Sequence, residues 1–126
     1  MKPVLIILIT TAAILVSGIL TQQMLYSESD RLHNSLCTLE DYIISQNWEE
    51  AEKTLEKFHK NWDKISRTWA MLVDHYEIDN IELELSQLSS FINSKDKSLS
   101  LSRLSALKTL VKHIPKKESF ILENIL

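Results

Sequence analysis

The stretch from Trp48 to Tyr76 places large apolar residues, and one alanine, at alternating steps of three and four positions. This spacing is the heptad pattern of a long α-helix that buries one seam along its whole length. The seam contains all three tryptophans of the chain. Its members are Trp48, Ala51, Leu55, Phe58, Trp62, Ile65, Trp69, Leu72 and Tyr76. A helix of about 40 Å must dominate the fold of a chain of only 126 residues.

The heptad alone suggests a coiled coil and therefore a dimer. Indoles at positions such as Trp62 and Trp69 are too bulky for a two-stranded parallel coil, which prefers branched aliphatic residues there. They suit the wider interior of an antiparallel bundle. One glycine and two prolines are too few for the turns of a sheet. We therefore predict an all-α fold with short connections.

An uncharged apolar run from Val4 to Leu20 follows Lys2. Seventeen helical residues extend about 26 Å, which is the short end of a membrane span. We predict a transmembrane anchor over residues 1–25 and an extracytoplasmic bundle domain over residues 26–126. Lys2 precedes the run, whereas Glu28 and Asp30 follow it. The positive-inside rule therefore favours a cytoplasmic N-terminus.

A cleaved signal peptide is the alternative interpretation of the same run. Val16 and Gly18 are small enough for the positions that precede a cleavage site. Cleavage there would open the mature protein with the apolar residues Ile19 and Leu20. The run also lacks a polar segment before such a site, so a retained anchor fits the sequence better.

One further helix is predicted before the tryptophan seam. It runs from about Ser27 to Ser45 on an apolar stripe and can be continuous with the membrane span. Asn47 is placed to cap the tryptophan helix, which then runs from Trp48 to about Asp74 or His75. Cys37, the only cysteine, cannot form an internal disulfide and is expected to be half-buried.

The apolar phase changes near Tyr76, where a new seam begins at Ile78. Asp79 and Glu82 match a capping box, and Ile78 and Leu83 match a hydrophobic staple. These patterns predict a turn near Glu77 and Ile78 and a new helix from Asn80. A single helix of about 46 residues is the alternative, since no glycine or proline marks a turn.

A polar turn over residues 93–96 is predicted to precede a last long helix, which begins near Leu99. We expect Pro115 to end this helix and residues 118–126 to form a short apolar helix that folds back on the bundle. The residues predicted to pack the core are Trp48, Leu55, Phe58, Trp62, Ile65, Trp69, Leu72, Ile81, Leu85, Leu88, Leu104, Leu107 and Val111.

The sequence offers little for chemistry. His75, Asp79 and Glu82 would share one stripe of a continuous helix and are candidate metal ligands, although the capping role of Asp79 competes with that role. No nucleophile and base are paired, and one glycine cannot build a phosphate loop. The chain is therefore predicted not to be an enzyme, and no cofactor is expected. The basic last third lacks interleaved aromatic residues, which argues against nucleic acid, but it suits anionic lipid head groups or wall polymers.

Three segments resemble a known family: the run from Trp48 to Trp69, residues 75–81 (HYEIDNI) and residues 123–125 (ENI). With the N-terminal anchor before them, they resemble short membrane-anchored proteins of spore-forming Firmicutes, grouped as domain of unknown function four-three-six-three. The resemblance implies a bacterial source, a membrane location and action beside another membrane protein. It brings no catalytic residues.

These observations favour a non-catalytic, membrane-anchored helical interaction or accessory protein. Its expected partners are the membrane, through a single span, and another membrane or envelope protein. The alternative is a ligand- or metal-sensing bundle that uses His75 and its neighbouring carboxylates. The sequence leaves the oligomeric state open.

Overall fold

The computed structural model describes residues 1–125, with side chains through residue 118. Within these residues the chain forms four α-helices and no strand. The helices are α1 (Lys2–Ile44), α2 (Trp48–Leu72), α3 (His75–Asn93) and α4 (Lys97–Ile125). The predicted all-α fold, with a long apolar first helix that packs against the others, is confirmed.

Helix α1 is one continuous rod with two different halves. Residues 4–20 carry no charge and are predominantly apolar on all sides, and none of the residues in the most apolar 18-residue window is buried. This half is long and apolar enough to cross a membrane. The second half buries a single stripe against the other helices: Leu25, Ser29, Leu32, Leu36, Leu39 and Ile43. The predicted span and the predicted second helix are therefore parts of the same helix.

The four helices form a closed ring around one core. Helix α1 packs against α2 and α4, and α3 packs against the same two neighbours. Connections of two or three residues force consecutive helices to run antiparallel. The chain therefore leaves the apolar half of α1 along the second half of that helix, returns along α2, leaves again along α3 and returns along α4. We call the end of the bundle beside the apolar half of α1 anchor-proximal, after the predicted anchor, and the opposite end distal.

The distal end is closed by two matching turns, Ser45-Gln46-Asn47 and Ser94-Lys95-Asp96. Gln46 and Lys95 have positive φ angles of 58° and 57°, the left-handed conformation that commonly ends a helix. Asn47 N–H donates to the Tyr42 carbonyl, and Asp96 N–H donates to the Phe91 carbonyl. Both turns thus satisfy the last carbonyls of one helix and begin the next. The Asn47 side chain accepts a hydrogen bond from Glu50 N–H, as a helix cap does.

The break between α2 and α3 lies four residues before its predicted position. Val73 is extended, and Asp74 caps α3 by accepting a hydrogen bond from Tyr76 N–H at 3.0 Å. The predicted capping box at Asp79 and Glu82 is wrong because both residues lie inside α3. The predicted staple is wrong as well, since Leu83 is 56% exposed. The alternative of one continuous helix is also contradicted.

Helix α4 does not end at Pro115, contrary to the prediction. Proline has no N–H to offer the carbonyl four residues earlier, which here belongs to Val111. The buried Ser29 hydroxyl of α1 donates to that carbonyl at 2.7 Å. The Gln22 carboxamide donates to the carbonyl of Pro115 itself at 2.9 Å. Helix α1 therefore supplies the hydrogen bonding that lets α4 continue through a proline.

The separate C-terminal helix that was predicted is likewise replaced by the last turns of α4. Its predicted packing on the bundle concerns side chains that lie outside the described residues.

Most of the residues predicted to pack the core are buried. Trp48 and Ile65 are partly buried and pack against the core cluster. Leu72 is 37% exposed and Tyr76 is 67% exposed, because α2 ends at Leu72 and the seam ends with it. The buried members are Leu55, Phe58, Trp62, Trp69, Ile81, Leu85, Leu88, Leu104, Leu107 and Val111.

Candidate functional site

The three candidate metal ligands do not form a metal centre in this fold. His75, Asp79 and Glu82 are all exposed along α3. Within the described part of the chain, no group of three or more His, Cys, Asp or Glu side chains is arranged to hold a metal ion. The arrangement therefore gives the metal hypothesis no geometric support.

A groove between α1 and α4 concentrates positive charge. It has a volume of about 420 Å³. Its lysines recur every four residues on α4, so they lie one above another on one face of that helix. We call it the basic groove, and its lining residues are His33 of α1 and Ser105, Lys108, Thr109, Lys112, His113 and Lys116 of α4.

Carboxylates of α1 neutralise part of the positive charge of the basic groove. Lys108 Nζ lies 3.1 Å from Glu40 Oε2, and both side chains are partly buried. Lys112 Nζ lies 3.9 Å from Asp30 Oδ1, which is a looser and more exposed contact. Among the described residues, Lys116 has no carboxylate within ion-pair distance. The charge that remains free for a ligand is therefore greatest at the Lys116 end.

His33 forms the α1 wall of the basic groove. Burial, followed by the Lys112 and Lys108 ammonium groups, lowers the pKa of His33 below its ordinary value of 6.5, against the opposite effect of Asp30 and Glu40. The ring is therefore neutral at neutral pH. Its Nδ1 atom lies 3.7 Å from the Cys37 sulfur, one turn along α1. Cys37 is half-buried, as predicted.

The anchor-proximal end of the bundle exposes apolar side chains. Met71 is 81% exposed at the C-terminal end of α2, and Tyr76 is exposed in the first turn of α3. Leu72 lines a cavity together with Gly18 and Gln22 of α1. The α2–α3 turn therefore lies beside the end of the apolar half of α1. Nearby, Lys117 Nζ pairs with the buried Glu77 at 2.7 Å.

Two tryptophans of the seam, Trp62 and Trp69, are core residues with different polar environments. Trp62 and Trp69 pack edge to face, with ring centroids 5.8 Å apart. Trp69 Nε1 donates to Glu28 Oε2 at 2.6 Å, and this hydrogen bond joins α2 to α1 at the anchor-proximal end. Trp62 Nε1 is buried and has no hydrogen-bond partner among the described residues. Neither indole offers an exposed binding face.

Sequence reasoning missed the basic groove as a site. It recognised the basic last third of the chain, but the groove also needs His33, Asp30 and Glu40 from α1. Their sequence separation from α4 exceeds 60 residues, so no local pattern joins them. The available signal was the four-residue spacing of Lys108, Lys112 and Lys116.

Fold and surface together define a class: an all-α four-helix bundle whose first helix continues into an exposed apolar segment. The model of the family described as Domain of unknown function (DUF4363) matches residues 19–125. The chain belongs to this family. No curated protein and no solved structure matches it.

Proposed function

We propose that the protein is a non-catalytic accessory or interaction protein, anchored in the cell membrane by one span with its bundle outside the cytoplasm. The observation that carries this proposal is the continuity of α1. The unburied apolar run from Val4 to Leu20 is costly in water, whereas the same helix packs a bundle core over its second half. A membrane removes that cost and leaves the bundle free to bind.

The bundle surface supports a binding role better than a catalytic one. The single thiol of the chain, that of Cys37, lies 3.7 Å from His33 Nδ1, and among the described residues no third group hydrogen-bonds to that ring. The basic groove is broad and open, and its lysines are salt-bridged or solvated. Such a surface suits recognition of another membrane or envelope component, through contacts that the anchor holds at the membrane.

Topology is tested by cysteine labelling, for which the chain is convenient. In a Cys37→Ser background, Asn61→Cys places a thiol on an exposed position of α2, and Lys2→Cys places one before the span. We expect a membrane-impermeant maleimide to label Asn61→Cys in intact cells and Lys2→Cys only after permeabilisation. Labelling in the reverse pattern, or a protein that leaves the membrane fraction in carbonate, would contradict the proposal.

The interaction role is tested by photocrosslinking in cells. A photoreactive amino acid is placed in turn at exposed positions on each of α1 to α4 of the bundle. A partner surface predicts a discrete crosslinked product from adjacent positions on one face. Products from no position, or equally from every position, would argue against a specific partner.

The metal-sensing alternative makes a different prediction for the purified chain. Binding of zinc or calcium to the folded state would raise its melting temperature. We expect no change with either ion, because His75, Asp79 and Glu82 are exposed and not arranged as a ligand set.

A further inference from the structure

The anchor-proximal end of the basic groove lies at the height of the expected membrane surface. The Gln22 carboxamide donates to the Pro115 carbonyl at 2.9 Å, so Pro115 lies at the height of Gln22 along the bundle axis. Lys116 is the next residue of α4. The apolar run of α1 ends at Leu20. Lys116 therefore lies within about 10 Å of the end of the apolar run, measured along the helix axis. That is the depth at which lipid phosphate groups lie outside the hydrocarbon core.

The charges of the groove match a ligand with one phosphate. Lys108, Lys112 and Lys116 from α4 face Asp30 and Glu40 from α1. With His33 neutral, these groups leave a single net positive charge. A long polyanion would meet the two carboxylates as well as the lysines, whereas a phosphodiester of single charge can sit at the open Lys112 and Lys116 end. Ammonium groups bind phosphate as point charges from several directions.

We propose that Lys112 and Lys116, with His113 beside them, bind the phosphate of an anionic phospholipid in the leaflet from which the bundle emerges. The proposal rests on the proposed membrane anchoring and specifies what the bundle touches there. Asp30 lies 3.9 Å from Lys112, so the lysine exchanges a weak contact for a stronger one. Lys116 has no carboxylate within ion-pair distance among the described residues, so the phosphate gives it an anionic partner.

The rest of the anchor-proximal end fits a lipid surface. Met71 is 81% exposed and Tyr76 is 67% exposed, on the turn that lies beside Gly18 and Gln22 through Leu72. Tyrosine is enriched at the boundary between hydrocarbon and head groups. The apolar rim on α2 and α3 and the lysines on α4 therefore face the same layer.

The test is native mass spectrometry of the purified full chain in a neutral detergent. Phosphatidylglycerol and phosphatidylcholine are added in equal amounts, and the lipid retained on the protein is counted. We expect roughly tenfold preference for phosphatidylglycerol. The variant Lys112→Gln/Lys116→Gln should lose this preference. The control Lys57→Gln/Lys64→Gln removes the same charge from exposed positions of α2 and should keep it. Near-UV circular dichroism of the tryptophans verifies that each variant is folded.

Three results would overturn the assignment. One is equal retention of the two lipids by the native chain. Another is an equal loss of preference in the control variant, which would show attraction by charge without a site. The third is displacement of the lipid by an excess of inorganic phosphate, which would make the groove a site for soluble phosphate. The measurement needs no protein partner. A negative result would therefore contradict the lipid site without deciding the topology and crosslinking experiments, which test the proposed function.

Discussion

The two ends of the bundle are built differently. At the distal end, the turns at Gln46 and Lys95 repeat one solution, with a left-handed residue between two helices and a polar cap that starts the second. At the anchor-proximal end, the two-residue connection Val73-Asp74 joins α2 to α3, apolar side chains are exposed, and α4 passes through a proline. The distal end is satisfied by local backbone contacts. The anchor-proximal end depends on contacts between helices that are distant in sequence.

This difference indicates that substitutions should lower the stability of the fold most at the anchor-proximal end. Local turns tolerate change because their hydrogen bonds close within a few residues. Contacts such as Ser29 with Val111 and Trp69 with Glu28 fail as soon as one partner is removed. The four changes below test the comparison, and each is measured on the full chain in mild detergent.

Trp69→Ala should produce the largest effect. The side chain is fully buried at the anchor-proximal end, and deletion of a buried aromatic ring typically lowers the free energy of unfolding by about 3–5 kcal/mol. Trp69→Phe keeps most of the ring but leaves Glu28 without its indole donor, at about 1–3 kcal/mol. Chemical unfolding followed by near-UV circular dichroism measures both. Trp62→Phe is the matched control and should cost less, because Trp62 Nε1 has no partner to lose. Equal costs for the two Phe variants would contradict this.

Ser29→Ala should lower the free energy of unfolding by about 1–3 kcal/mol, since it leaves the buried Val111 carbonyl without a donor. Pro115→Ala restores a backbone N–H that can bond the same carbonyl. In that background, the cost of Ser29→Ala should shrink to about 0.5 kcal/mol or less. A double-mutant cycle from four unfolding curves gives the coupling. Additive effects of the two substitutions would show that Ser29 does not compensate for the proline.

Gln46→Gly and Lys95→Gly should each stabilise the distal end by up to about 1 kcal/mol. Glycine adopts the left-handed conformation of these turns without the steric cost of a Cβ atom, which outweighs the extra freedom it gives the unfolded chain. The melting temperature of each variant provides the measurement. Gln46→Ala and Lys95→Ala keep the Cβ atom and should bring no such gain. A loss of stability with glycine would mean that these side chains contribute contacts of their own.

His33→Gln should change the pH dependence more than the stability at neutral pH. The folded state holds the His33 pKa below 6.5, so below that pH the unfolded state binds more protons. The stability associated with neutral His33 is therefore present above pH 6.5 and declines as the pH falls below it. Unfolding curves between neutral and acid pH should show a shallower decline in the variant. His59→Gln on α2 is the control. If this variant showed the same shallower decline of stability with falling pH, the effect of His33→Gln would not be due to the environment of His33 in the groove.

The elements of the fold that could be predicted from sequence are those with local signals. The seam of α2, its cap at Asn47 and the polar turn before α4 each lie within a few residues of their cause. The α2–α3 boundary was misplaced because Asp79 and Glu82 imitate a capping box inside a helix, whereas Asp74 caps with its own side chain and without that pattern.

Pro115 shows why the remainder could not be predicted. A proline ends a helix when the carbonyl it orphans has no other donor, and here the donor comes from Ser29, 82 positions earlier. The basic groove has the same character, because α4 supplies its lysines and α1 supplies the carboxylates that set its net charge. Periodicity reports which face of a helix is buried. It does not report which polar groups another helix will bring to that face.

The unbroken α1 also acts as a ruler. From Thr21 to Ile44 it extends about 36 Å without a turn or a kink-forming residue. In a protein anchored as we propose, this length is the greatest height at which the bundle can meet a partner above the lipid. The rod has no joint, so a partner that tilts or rotates the bundle also tilts or rotates the span. A movement of the bundle outside the membrane would then move the span inside the membrane.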